Sequence, residues 1–84
     1  MNKGERMKRG YEKLREGMAR NEVIEIFGEP DSKGLRNGIE LLGWETQEWK
    51  GVLRGGRVTR SLEIELKDGK VVGYNGHNIT ISSW

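Results

Sequence analysis

An 84-residue chain has room for one hydrophobic core and no second domain, and a domain this short buries a smaller share of its surface than a longer one. Hydrophobic and charged residues each make up 33%, the formal net charge is only +2, and there is no cysteine, which excludes disulfides, thiolate chemistry and the usual structural zinc sites. The mean hydropathy of -0.78 sets a strongly hydrated surface, yet three Trp, two Tyr, one Phe and clustered apolar runs mark a folded chain rather than a disordered one.

Residues 2–16 carry Lys3, Arg6, Lys8, Arg9, Lys13 and Arg15 around a sparse apolar set, Met7, Tyr11 and Leu14, whose spacing predicts a narrow amphipathic helix. Gly17 ends it. The helical period resumes over 19–27 with Val23, Ile24 and Phe27 on one side, and Gly28 followed by Pro30 stops this second helix. From Ile39 the spacing changes to that of strands, predicted at 39–49, 58–67, 70–74 and 78–84. The expected architecture is α+β, with two short N-terminal helices packed on one face of a four-stranded antiparallel sheet.

Alternation is cleanest in the second predicted strand, with Leu62, Ile64 and Leu66 on the core face and Ser61, Glu63 and Glu65 on the other. Asp68-Gly69 is a two-residue hairpin signal that pairs Lys67 with Lys70, Leu66 with Val71, Glu65 with Val72 and Glu63 with Tyr74. A two- or four-residue loop at Asn75-Gly76-His77 would put Ile79 and Ile81 beside Tyr74 on the outer face; the preferred three-residue turn buries both and leaves Thr80, Ser82 and Trp84 outside, beside Tyr74 and the glutamates. Trp44 and Trp49 have opposite parity, so either one faces each side or a bulge near Gly43 intervenes.

The run from Tyr11 to Asp31 resembles the opening motif of the SmpA/OmlA family, whose fold is shared with the β-lactamase inhibitor protein repeats. The matching positions are Tyr11, Leu14, Gly17, Met18, Val23, Phe27, Gly28 and Pro30, followed by a Trp-containing strand and the Asp68-Gly69-Lys70 turn. Ala19 departs from the Thr or Ser that usually follows the Met in this family and cannot cap the second helix through its side chain. The N-terminal lipid-anchored cysteine and signal peptide of the envelope members have no counterpart here. The resemblance implies the fold and a binding role, and its inhibitor branch implies an open sheet face that holds a protein partner.

The expected protein-binding face is thus the outer side of the sheet, with Glu63, Glu65, Tyr74, Trp84 and one of Trp44 or Trp49. Aromatics supply contact area at low entropic cost and glutamates supply charge selectivity, against the plainer reading of a solvated sheet face. Dimerisation through this face or a strand edge is one form such binding could take. A second candidate is KGVLRGGRVTR, where Lys50, Arg54, Arg57 and Arg60 among glycines could track nucleic-acid phosphates, with the basic N-terminus adding to the footprint; the plainer reading is a long charged hairpin loop.

His77 reads as a polar turn residue, and Glu63 with Glu65 as ordinary exposed strand glutamates rather than an acid/base pair or metal ligands. No catalytic residue, metal site or cofactor is expected, and the chain is read as a binding protein and not an enzyme. No apolar stretch approaches the roughly 20 residues of a membrane span, and the start MNKGERMKRG has no hydrophobic region after its charges, so a soluble, cytoplasmic protein is expected.

Overall fold

The computed structural model describes residues 3–50 and 56–79, with side chains at all of these except 48–50 and 56–58. The elements are α1 (Lys3–Lys13), α2 (Arg20–Phe27), β1 (Ser32–Arg36), β2 (Ile39–Lys50), β3 (Gly56–Lys67) and β4 (Lys70–His77). The strands form one antiparallel sheet in the order β1-β2-β3-β4, and both helices precede it in the chain, so the expected α+β class holds. The core joins Met7, Leu14, Val23 and Phe27 of the helical half to Leu42, Trp44, Leu62, Ile64, Leu66 and Val71 of the sheet, closed by Ile79.

The buried stripe of α1 includes Gly4 and Gly10 as well as Met7. A Cβ at Gly10 would stand 2.5 Å from Ile26 Cγ2 and 2.6 Å from Phe27 Cε1, so glycine is what lets the two helices approach this closely. Arg6 fastens the contact, donating from Nε to the Ile26 carbonyl at 2.8 Å and from Nη2 to the Glu25 carbonyl at 3.1 Å, where the last turn of α2 lacks intrahelical donors.

The first helix ends at Lys13 because the following backbone is claimed by the sheet. Gly17 N–H donates to the Val71 carbonyl at 2.7 Å, Val71 N–H to the Met18 carbonyl at 2.9 Å, and Arg20 N–H to the Gly69 carbonyl at 2.9 Å. The last of these answers the Ala19 departure. Ala19 makes no side-chain cap, and the turn between β3 and β4 accepts an N–H from the first turn of α2 in its place.

Three strand expectations are corrected. The strand β1 was not predicted, because SKGLR has no apolar alternation and is exposed throughout. Its signal was Asn37-Gly38, a two-residue turn with both φ positive (52° and 79°), the same construction as Asp68-Gly69 (53° and 77°). Secondly, Asn75-Gly76-His77 is not a turn: β4 runs through it, with Glu63 opposite Asn75, Leu62 opposite Gly76 and Ser61 opposite His77. Gly76 serves close packing, since a Cβ there would lie 2.7 Å from Ile79 Cδ1 and 2.8 Å from Tyr11 Cε1. Asn78 and Ile79 lie outside any strand, Ile79 is buried as expected, and the rest of the predicted 78–84 strand lies outside the described residues.

The third correction is one of register. Lys67 faces Lys70 and Leu66 faces Val71 as expected, but Glu65 then faces Gly73 and Ile64 faces Tyr74, so Val72 is an extra residue, a β-bulge. Everything beyond it changes sides relative to strict alternation.

Candidate functional site

The bulge decides which side chains share the outer face. Tyr74, opposite Ile64, is turned to the helix side, where its ring meets Tyr11 edge-on at 5.8 Å and 87°. It leaves the expected interface. Trp44 leaves it too: paired with Leu62, it is only 2% exposed, tilts against Phe27 at 5.4 Å, and donates its indole N–H to the Gly28 carbonyl at 3.1 Å. Strict alternation from Leu42 accounts for this placement. In the β2–β3 ladder Trp49 pairs with Arg57, but its side chain, and all of Trp84, Thr80 and Ser82, lie outside the described residues.

Arg60 is corrected in the other candidate. It sits in β3 with the parity of Leu62, is fully buried, and donates from Nη1 to the carbonyls of Asn78 and Ile79, both at 2.8 Å. Its role there is to hold the chain after β4 against the sheet, which removes it from a solvent-facing basic loop. Lys50 and Arg57 are strand residues whose side chains, like the whole of Arg54, lie outside the described residues.

Glu63 and Glu65 are on the outer face as expected, and the register assembles their neighbours. On one rung Ser32, Gly43, Glu63 and Asn75 lie side by side; on the next, Gly34, Leu41, Glu65 and Gly73; on a third, Glu45, Ser61 and His77. His77 is therefore a strand residue on this face rather than a turn residue. Ile39 and Leu41 are half-buried there, while Glu45, Glu63, Glu65 and the bulged Val72 are exposed.

Two open depressions mark this surface. One of about 510 Å³ spans Asp31, Ser32, Gly43, Glu45, Ser61, Glu63, Asn75 and His77; the other, about 320 Å³, spans Arg36, Asn37, Ile39, Leu41, Glu63 and Glu65. Glu63 belongs to both. Neither is enclosed, so neither offers the water-excluded setting in which acid–base chemistry gains most. Among the described residues no group of three or more His, Asp or Glu is placed to hold a metal ion, and no helix is long and apolar enough to cross a membrane.

Asp31 forms the rim next to α1. Its Oδ2 accepts from Lys3 Nζ at 2.5 Å and from Glu45 N–H at 2.7 Å, and its own N–H donates to the Gly43 carbonyl at 2.7 Å. The Lys3 hydrogen bond, then the Glu45 amide, hold its carboxyl below the ordinary range. At the opposite end Arg20 donates from Nε to Glu40 Oε1 at 2.8 Å, and that bond raises the guanidinium further above its usual value. Sequence patterning misses both pairs because their partners are 28 and 20 residues apart.

No family model matches the chain, and no curated protein or solved structure matches it.

Proposed function

We propose that this chain is a protein-binding module, of inhibitor or assembly-adaptor type, that works without catalysis through the open face of its sheet. The observation that carries this reading is the contrast on one sheet: both helices cover one side, while the other keeps half-buried Ile39 and Leu41, exposed Val72 and two adjoining depressions among carboxylates. Antiparallel sheets can leave one face to water, but a ready-shaped apolar and charged surface is also what a partner requires. The resemblance of Tyr11–Asp31 to the SmpA/OmlA motif adds the expectation of a binding role, and a cysteine-free chain fits a reducing, cytoplasmic setting. Affinity capture from lysate compares the native chain with a Leu41→Asp/Val72→Asp variant of unchanged melting temperature. The variant is expected to lose the captured partner, and identical capture by both chains refutes the reading.

A second reading, nucleic-acid binding, draws on a different observation. The β2–β3 ladder continues to Lys50 opposite Gly56, beyond the last pairs with β1 at Gly43 and with β4 at Ser61. A two-stranded ribbon of this kind fits the DNA major groove, and Lys50, Arg54 and Arg57 belong to this part of the sequence. An electrophoretic shift with mixed DNA and RNA at low salt, abolished by K50Q/R54Q/R57Q, is the expected sign; no shift ends this reading.

A further inference from the structure

The middle of the outer face carries carboxylates that their immediate neighbours leave unpaired. Among the described residues no basic side chain stands within salt-bridge distance of Glu45, Glu63 or Glu65, whereas the other carboxylate beside the depression, Asp31, is already held by Lys3. This is not for want of cations, since the chain has 15 Lys and Arg against 13 Asp and Glu. Five of them, Lys3, Arg6, Lys8, Arg9 and Lys13, lie on α1, which packs on the opposite side of the sheet. The helix is net basic despite Glu5 and Glu12, and the described cations that share the open face, Arg36, Lys67 and Lys70, stand at its two-residue-turn end, so acid predominates locally, along Glu45, Glu63 and Glu65.

The carboxylates are also spaced for a particular shape of partner. Glu63 and Glu65 are two residues apart on one strand, about 6.7 Å at ordinary strand rise, which is the i to i+2 repeat on one side of any other extended chain. Next to them, Gly43 has no side chain, and a Cβ there would collide with Ser32 Oγ, so the larger depression opens at that rung. The hydroxyls of Ser32 and Ser61 line it and add acceptors for a guanidinium or ammonium group. The adjoining depression brings Ile39 and Leu41 within reach of an apolar neighbour.

Resting on the protein-binding reading above, we infer that the occupant of this face is an extended basic segment of another protein, with Lys or Arg at alternate positions laid along β3. Its cations meet Glu63 and Glu65, Glu45 closes the far end, and apolar residues beside them cover Leu41 and Ile39. Charge complementarity of this kind sets partner choice and association rate more than raw affinity, so binding is salt-sensitive.

The test is a titration of the isotope-labelled full chain with a synthetic peptide of about ten residues alternating Arg and Val, long enough for an ordinary strand, and with its Glu-for-Arg counterpart. The expected result is amide shifts grouped at Gly43, Glu45, Glu63, Glu65 and Asn75 with the Arg peptide only, weakening as salt is raised. E45Q/E63Q/E65Q should lower affinity at least about tenfold, from a few exposed charge pairs acting together, while K8Q/K13Q on α1 leaves it unchanged. Shifts that map elsewhere, equal binding of the Glu peptide, or unaltered binding by the triple variant overturn the inference. Concentration-dependent self-association abolished by K8Q/K13Q assigns the face to a second copy and overturns it too. Capture from lysate that survives E45Q/E63Q/E65Q but not Leu41→Asp/Val72→Asp overturns the basic partner while leaving the protein-binding reading intact.

Discussion

The two faces of the sheet are built from the same strands, one residue out of step, and they have opposite physical character. Inward, Leu42, Trp44, Leu62, Ile64 and Leu66 are buried under the helices; outward, Leu41, Gly43, Glu45, Ser61, Glu63 and Glu65 alternate with them along the same backbone. The ladder of hydrogen bonds is common to both faces and cannot distinguish them. What differs is contact with other side chains, so stability is concentrated on one face while the other is left able to vary.

The largest effect expected from this contrast is at Trp44. Replacing it by Ala removes an indole in contact with Phe27 and the hydrogen bond to Gly28, and should cost about 3–5 kcal/mol, seen as a lower urea midpoint. Glu63→Ala on the neighbouring strand's outer face should stay within about 0.5 kcal/mol. Equal losses at the two sites would break the comparison. Intermediate is Arg60→Met, which keeps an unbranched apolar stem but leaves the carbonyls of Asn78 and Ile79 without their donor, at about 2 kcal/mol. Its signature is faster hydrogen exchange around residue 79 before global unfolding.

A smaller effect than at Arg60 is expected at the rim between the faces. Because Lys3 and the Glu45 amide depress the Asp31 pKa in the folded chain, their stabilisation is complete above the ordinary carboxylate pKa and is lost as pH falls through the folded value. Both partners are nearly half exposed, so the loss should be under about 1 kcal/mol. Acid titration of stability should show a shallower decline in Lys3→Ala than in the native chain; parallel curves would show that the pair contributes nothing.

What could be read from the sequence follows from the range of the physics involved. Helix stripes and the Leu62, Ile64, Leu66 alternation are local and periodic, and they indicated two helices ahead of the strands and the core face of β3, although the first helix stops at Lys13 and not at residue 16. The strand β1 has no such pattern, and only Asn37-Gly38 betrays it, through a backbone conformation that glycine and asparagine adopt readily. Gly10 and Gly76 were unreadable as core positions because an apolar count assigns nothing to a missing side chain, although each is pressed against its neighbours. For the site, alternation gives the face of Glu63 and Glu65 and, once the strand is known to run unbroken through Gly43, of Trp44 as well, whereas what Trp44 and Arg60 bind there comes from distant parts of the chain: Phe27 and Gly28 for one, Asn78 and Ile79 for the other.

The surplus residue in β4 has a consequence for how this protein can change in length. A deletion at Val72 would close the ladder, with Gly73 still opposite Glu65, Tyr74 still over Tyr11 and Asn75 still among the carboxylates. The same deletion at Asn75 would keep the bulge and carry Gly76 outward and His77 inward, stripping Tyr11 of the gap it fills. The strand thus holds slack at one point and none a few residues further on, where neither chain length nor the missing side chain of Gly76 can change without disturbing Tyr11.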